Sequence, residues 1–121
     1  MKATITSLIF LLLSLTVSSQ TYKYIGIEEG LSNQKIYKIQ KDARGYMWFL
    51  THVGIDQYNG KEIKHYKLRE GNRELDPLLN INWTFLDKTG TLLVTGKQGR
   101  IFRYDSGHDR FVQIYSMYNY W

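Results

Sequence analysis

Beyond its first twenty or so positions, this chain alternates apolar and polar side chains over short runs, and the runs are separated by Gly, Asn and Asp. A period of two puts one face of a strand on a core and the other toward solvent. No stretch of that region shows helical periodicity, and a single Pro interrupts it. The predicted elements are therefore strands. Residues 22–27 read as the first, broken by Glu28-Glu29-Gly30. Residues 36–41 read as the second, with Ile36 and Gln40 on one face and Tyr37, Ile39 and Lys41 on the other. Residues 46–51 follow, then 55–58, then an alternating run over 61–67. A polar, charged stretch over 68–77 reads as a linker. Four more runs follow, at 78–86, 91–95, 100–104 and 111–116. In the first of these Ile81, Trp83 and Phe85 alternate with Asn80, Asn82 and Thr84, which predicts a half-buried strand with its apolar face inward.

The connections carry their own chemistry. Asp42-Ala43-Arg44-Gly45 has an Asp able to accept from backbone amides ahead of it and a Gly able to take positive φ. Gly54 marks a second turn. Asn59-Gly60 is a strong hairpin signal and predicts a two-residue type I′ turn.

Residues 42–60 reappear in weaker form about 45 residues later, the spacing of propeller blades. Asp42 and Gly45 align with Asp87 and Gly90, and Gly54 with Gly99. One inserted residue brings Tyr58 onto Tyr104, which Asp105 follows. The predicted fold is all-β: about two four-stranded antiparallel blades of a β-propeller, incomplete as given. Its expected divisions are a leading strand with the Gly30-Leu31-Ser32 segment over 20–35, a first blade over 36–67, a linker over 68–77 and a degenerate second blade over 78–121. The last residues are aromatic, with no closing turn, so the chain reads as a fragment. Tyr118, Tyr120 and Trp121 are expected to pack into a following blade.

The remaining N-terminal residues 1–19 have the layout of a secretory signal peptide. Lys2 supplies the positive region, residues 8–17 the apolar core and Val17-Ser18-Ser19 the small-residue site. The core is short for a spanning helix, which needs roughly twenty apolar residues. Export to the periplasm is the expectation, and without a cysteine near the site a lipid anchor is not. The chain has no cysteine at all, which removes disulfides, thiol catalysis and thiolate metal sites. Its formal charge of +5 comes from scattered Lys and Arg. They form no block, so they read as a solvated face with Lys on strand edges, not as a nucleic-acid surface.

Candidate chemistry is sparse. His52, His65 and His108 have no metal-ligand spacing, and the carboxylates form no acid/base pair. Ser106 and His108 are near only in sequence, and residues 96–99 lack the length and the Lys-Ser/Thr ending of a phosphate loop. Asn82-Trp83-Thr84 matches a glycosylation sequon inside a predicted strand and is read as chance. No catalytic, metal or cofactor residue is expected. Asp42 and Asp87 recur at one repeat position, which assigns them to turn capping. Trp48 is expected to pack between blades. Tyr46, Tyr58 and Tyr104 are left open between packing and stacking on a sugar ring.

The stretch over 28–66 resembles the two-component regulator propeller repeat, in particular the opening blade of the sensor region of bacterial hybrid two-component systems. The resemblance rests on Gly30, Leu31 and Ser32, then Asp42, Gly45, Trp48, Phe49, Thr51, Gly54, Ile55, Tyr58, Asn59 and Gly60. In the second copy Asp87, Gly90, Val94, Gly99, Tyr104 and Asp105 fit, while Leu93 stands where Trp is expected. What the resemblance implies is a non-catalytic periplasmic sensor: an array of blades, a β-sandwich and a membrane helix, with a cytoplasmic kinase, receiver and DNA-binding output beyond. The implied ligand is an oligosaccharide. No position here matches a phosphoacceptor His, an ATP site or a receiver Asp. Two other readings stand beside it. One is a short exported structural or adhesion module whose copies complete a propeller by oligomerising. The other is an enzyme built on a propeller, for which the residues offer no support.

Overall fold

The alternating segments pair into antiparallel ladders in the computed structural model, which describes residues 2–13 and 18–117. A short helix, α1 (Lys2–Leu13), comes first. The first sheet is built from β1 (Ile36–Lys41), β2 (Met47–Thr51), β3 (Gly54–Tyr58) and β4 (Ile63–Tyr66), in that spatial order. A small hairpin of β5 (Arg69–Glu70) and β6 (Arg73–Glu74) and a one-turn helix α2 (Pro77–Asn80) follow. The second sheet, again in sequence order, is β7 (Trp83–Leu86), β8 (Leu92–Thr95), β9 (Arg100–Asp105) and β10 (Arg110–Ser116). Two four-stranded meanders of this kind are propeller blades, and the fold is all-β.

Register decides which side chains meet between them. Trp48 stands opposite Gln40 and Gln57, and Leu50 opposite Lys38 and Ile55. Trp48, Leu50, Ile55 and Tyr66 of the first sheet share one core with Leu92, Val94, Phe102, Tyr104 and Phe111 of the second. The sheets thus lie face to face with their first strands on the same side. Tyr37 donates its hydroxyl to the Ile81 carbonyl at 3.1 Å, and Lys38 Nζ sits 4.1 Å from the centre of the Trp83 ring. On the far side β5 runs beside β10.

Four local expectations need correction. Residues 22–27 form no strand. Their backbone instead closes a turn, with Gly30 N donating to Ile27 O and Leu31 N to Gly26 O, and Tyr22 and Tyr24 are exposed. β-propensity alone does not hold a strand when no sheet edge runs beside it. The Asn59-Gly60 turn is not type I′. Gly60 takes positive φ (99°) but Asn59 does not, and Tyr58 pairs with Ile63 across a four-residue connection. Asn59 stabilises it differently, its Oδ1 accepting from the amides of Lys61 and Glu62. The stretch over 68–77 is not a plain linker, since it folds into the β5–β6 hairpin and buries Leu68 and Leu75.

The fourth correction concerns 78–86. Only Trp83–Leu86 is a strand, and α2 occupies its start. Its polarity is also reversed: Thr84 is buried, while Trp83 is 56% and Phe85 42% exposed. Thr84 is the residue of this strand that faces the first blade, while Ile81, just before the strand, is buried as expected.

Among the described residues no helix is long and apolar enough to cross a membrane. Residues 14–17 of the expected signal-peptide core, and the aromatic residues Tyr118, Tyr120 and Trp121, lie outside the described residues.

Candidate functional site

The recurring aspartates shape the first feature. Asp42 is buried, and its Oδ1 accepts from the amides of Arg44 (2.9 Å) and Tyr46 (3.0 Å). Asp87 Oδ1 accepts in the same way from the amides of Thr89 (2.8 Å) and Thr91 (3.0 Å). Gly45 and Gly90 each close the turn by donating to the carbonyl of their Asp, at positive φ. The second carboxylate oxygens differ. Asp42 Oδ2 takes Trp48 Nε1–H at 2.8 Å, whereas Asp87 Oδ2 takes Arg103 Nε–H at 2.9 Å. Hydrogen bonds from Thr89, Thr91 and Arg103 hold the Asp87 carboxyl well below the usual carboxylate range. The two turns also touch. Ala43 N donates to Gly90 O, and a Cβ on Gly90 would stand 2.2 Å from that of Ala43.

The second feature is an aromatic cluster between the blades. Trp48 is fully buried, with ring centres 4.8 Å from Tyr104, 5.4 Å from Tyr66 and 5.5 Å from Phe111. Both tyrosine hydroxyls donate to one oxygen, Asp109 Oδ1, at 2.6 and 2.7 Å. Lys64 Nζ lies 3.3 Å from Asp109 Oδ2. Asp109 is the one non-glycine residue at positive φ among the described residues, and that conformation turns its carboxylate back onto the tyrosines. The donated hydrogen bonds lower the Asp109 carboxyl, while burial and then the same bonds push both tyrosine hydroxyls up. Tyr104 is therefore a packing residue, which closes the choice left open for it. Tyr58 instead donates its hydroxyl to the Gly60 carbonyl and lies under Lys23, a local tie of the leading segment to the blade.

The third feature was not foreseen. Asp56 is wholly buried and binds Ser32 through both its amide and its hydroxyl, each at 2.8 Å. His65 Nδ1 stands 2.7 Å from Asp56 Oδ1. Ser, Asp and His converge, and the serine hydroxyl donates to the carboxylate and not to the imidazole. The cluster works as a clasp. It pins Gly30-Leu31-Ser32 onto the face of the first sheet that turns away from the second. Thr51 belongs to the same arrangement: its hydroxyl donates to Gly54 O and lies 3.4 Å from Ser32 Oγ. A side chain on Gly54 would meet the Tyr66 carbonyl at 3.0 Å, so this position needs close backbone approach.

At the outer rim the last strands of both blades and the β5–β6 hairpin enclose a groove of about 850 Å³, lined by Tyr66, Arg69, Glu70, Arg110 and Gln113 among others. Gly99 takes positive φ and its carbonyl accepts from Met117, while Asp105 bonds Gly107 N and His108. None of the motif residues expected from the repeat lines this groove. Among the described residues no group of three or more His, Asp or Glu is arranged to hold a metal.

The family model of the two component regulator propeller matches residues 30–52. The match runs from the clasped Gly30-Leu31-Ser32 segment through Asp42, Gly45 and Trp48 to Thr51. No curated protein matches the chain. The matched residues cover the leading segment and the first two strands of the first sheet, and both four-stranded antiparallel sheets have the form of propeller blades.

Proposed function

We propose that the chain supplies two blades of an exported, periplasmic sensor propeller of a two-component regulator, which binds an oligosaccharide without transforming it. The observation that carries this is the direction in which the blades face. Trp48 of the first blade turns toward the second. Leu93, its counterpart, sits opposite Phe85 and Arg103, outside the shared core. The operation that relates one blade to the other therefore gives the second blade an outer face like the one Trp48 occupies. That face carries exposed Trp83, Phe85 and Val112. Exposed apolar surface of this kind marks an interface. A head-to-tail interface repeats until it closes into a ring.

Further blades in the same protein fit this better than a ring of identical two-blade copies. In such a ring the second blade of one copy would seat on the first blade of the next. The second blade departs from the first, with Leu93 where the first has Trp48, so the contact between copies would differ from the contact within each copy. The structural module that oligomerises remains the alternative, and solution mass separates the two.

The test uses the native protein isolated from its own cells. Its unfolding midpoint is measured against neutral and acidic oligosaccharides, with mass spectrometry of the saccharide afterwards. The expected result is a raised midpoint with the saccharide recovered intact. Cleavage products would sink the non-catalytic reading. No shift with any saccharide would sink the oligosaccharide assignment. A mass equal to three or four copies of this chain would favour the oligomeric module, given that propellers have about 4–8 blades.

A further inference from the structure

Residues 21–25 have the composition of a strand and no sheet to join. Thr, Tyr and Ile suit the pleated, half-buried surface of a sheet. The backbone of this stretch makes no hydrogen bond with the backbone of any other described residue. Its side chains nonetheless alternate as those of a strand do. Lys23 Nζ donates to the Tyr58 hydroxyl of the first blade at 2.5 Å, and Ile25 is half-buried. The intervening Tyr22 and Tyr24 are 87% and 79% exposed. An extended segment with open amides and carbonyls is a template for pairing with a sheet edge.

The place of the segment narrows the partner. Ser32 is fixed to Asp56 of β3, Lys23 reaches Tyr58 at the end of β3, and a Cβ on Gly30 would stand 3.6 Å from that of Ile63 in β4. The leading segment therefore covers the outer half of the face that the first blade turns away from the second. On the inner half of that face Ile39, cross-strand from Phe49, is 51% exposed. A head-to-tail row of blades closes only when a last blade seats on this face. Its inner strands would cover Ile39, and at its outer edge it would meet residues 21–25.

We propose that residues 21–25 are the outermost strand of the blade that closes the ring, paired along one edge with a three-stranded sheet supplied by the rest of the same protein. The inference rests on the propeller of the sensor reading and deepens it by naming the partner of the leading segment, an open sheet edge. Lys23 and Ile25 then face the first blade, as they do already, and Tyr22 and Tyr24 pack against the blade on the other side. The chain itself joins the first blade to the last.

The test is hydrogen–deuterium exchange of the native protein isolated from its own cells, read amide by amide by fragmentation mass spectrometry. A strand paired on one edge has alternate amides bonded, so every second amide over 21–25 is expected to exchange about a hundredfold or more slower than those of exposed Glu28 and Glu29. Tyr22→Ser and Tyr24→Ser are expected to lower the unfolding midpoint of the native protein, although neither ring is covered by the two blades described. Free exchange throughout 21–25 overturns the proposal. Protection of every amide there means pairing on both edges and overturns the outermost position. Protection lost on dilution to the monomer gives the edge to a second copy and overturns closure within one protein. Unchanged midpoints in both tyrosine variants leave the rings in solvent and overturn it too. Saccharide binding is measured separately. Free exchange beside a saccharide-raised midpoint overturns the closure and leaves the sensing reading in place, whereas protection in a protein that ignores every saccharide supports the closure and sinks the oligosaccharide assignment.

Discussion

Trp48→Ala removes a side chain whose surroundings are fully specified. The indole is entirely buried, packs on Tyr66, Tyr104 and Phe111, and donates Nε1–H to Asp42. An aromatic of this size buries about 150–250 Å². At roughly 25 cal/mol per Å² the transfer contribution is about 4–6 kcal/mol, an upper bound because an unfolded chain already shields part of its surface. Large-to-small replacements of buried aromatics cost about 3–5 kcal/mol, and that is the expected loss here. Trp48→Phe separates the two contributions. It retains most ring contact but strips the donor from Asp42 Oδ2, an unmet acceptor worth about 1–3 kcal/mol. A double-mutant cycle of Trp48→Phe with Asp42→Ala should then show a coupling of about 0.5–3 kcal/mol. The assay is urea denaturation of the native protein followed by tyrosine and tryptophan fluorescence. A cost below about 1 kcal/mol for Trp48→Ala would refute the packing assignment. Trp48 would then be a surface ring, and stacking on a sugar would become its better reading.

Two further outcomes follow from the turns and the shared carboxylate. Gly90→Ala forces a Cβ to within 2.2 Å of the Ala43 Cβ at φ +76°, so denaturation should show a loss of about 2–4 kcal/mol from strain and overpacking together. Gly60→Ala, with positive φ but nothing within 4 Å, isolates the backbone part and should cost only about 1–2 kcal/mol. Equal losses at the two sites would mean that the turns do not touch. Acid should also unfold the protein through Asp87 and Asp109. Both carboxyls are depressed in the fold. Their stabilisation is therefore complete above the unfolded carboxylate range, near pH 4, and is lost as pH falls through their lower folded values. A denaturation midpoint that stays flat below pH 4, or one unaffected by Asp109→Asn, would contradict that.

The first blade was legible because its signals are local. Asp42 and Gly45 determine a turn by themselves, and the runs on either side alternate cleanly enough to place each strand within a residue or two. What failed were features decided by a neighbour. Residues 22–27 have strand composition but no edge to join. Asn59-Gly60 has hairpin composition, but the pairing of Tyr58 with Ile63 leaves four residues to span. In β7 the sequence shows two alternating sets, and nothing local says that Thr84 and not Trp83 faces the first blade. The clasp and the groove were invisible for a stronger reason. Ser32, Asp56 and His65 come from three segments, and Asp109 meets Tyr66 across more than forty residues. One signal was available for Asp56: an acidic residue in the middle of an otherwise buried strand needs a partner.

The degenerate second copy shows what the repeat requires physically. Its carboxylate sits in the same turn, closed by the same amide bonds, yet the tryptophan that satisfies the outer oxygen in the first blade is a leucine here. Arg103, cross-strand from Leu93, donates to that oxygen instead. The substitution is tolerable because of where it lies. In the first blade the equivalent face is buried against a second sheet, where a bare guanidinium would be costly to desolvate and an indole fills the space and donates one hydrogen bond. In the second blade Arg103 is partly open to solvent, so it neutralises Asp87 at little desolvation cost. What recurs between the copies is thus the satisfied carboxylate, not the residue that satisfies it. A repeat of this kind is better recognised by Asp and Gly at their fixed spacing than by the aromatic that follows them.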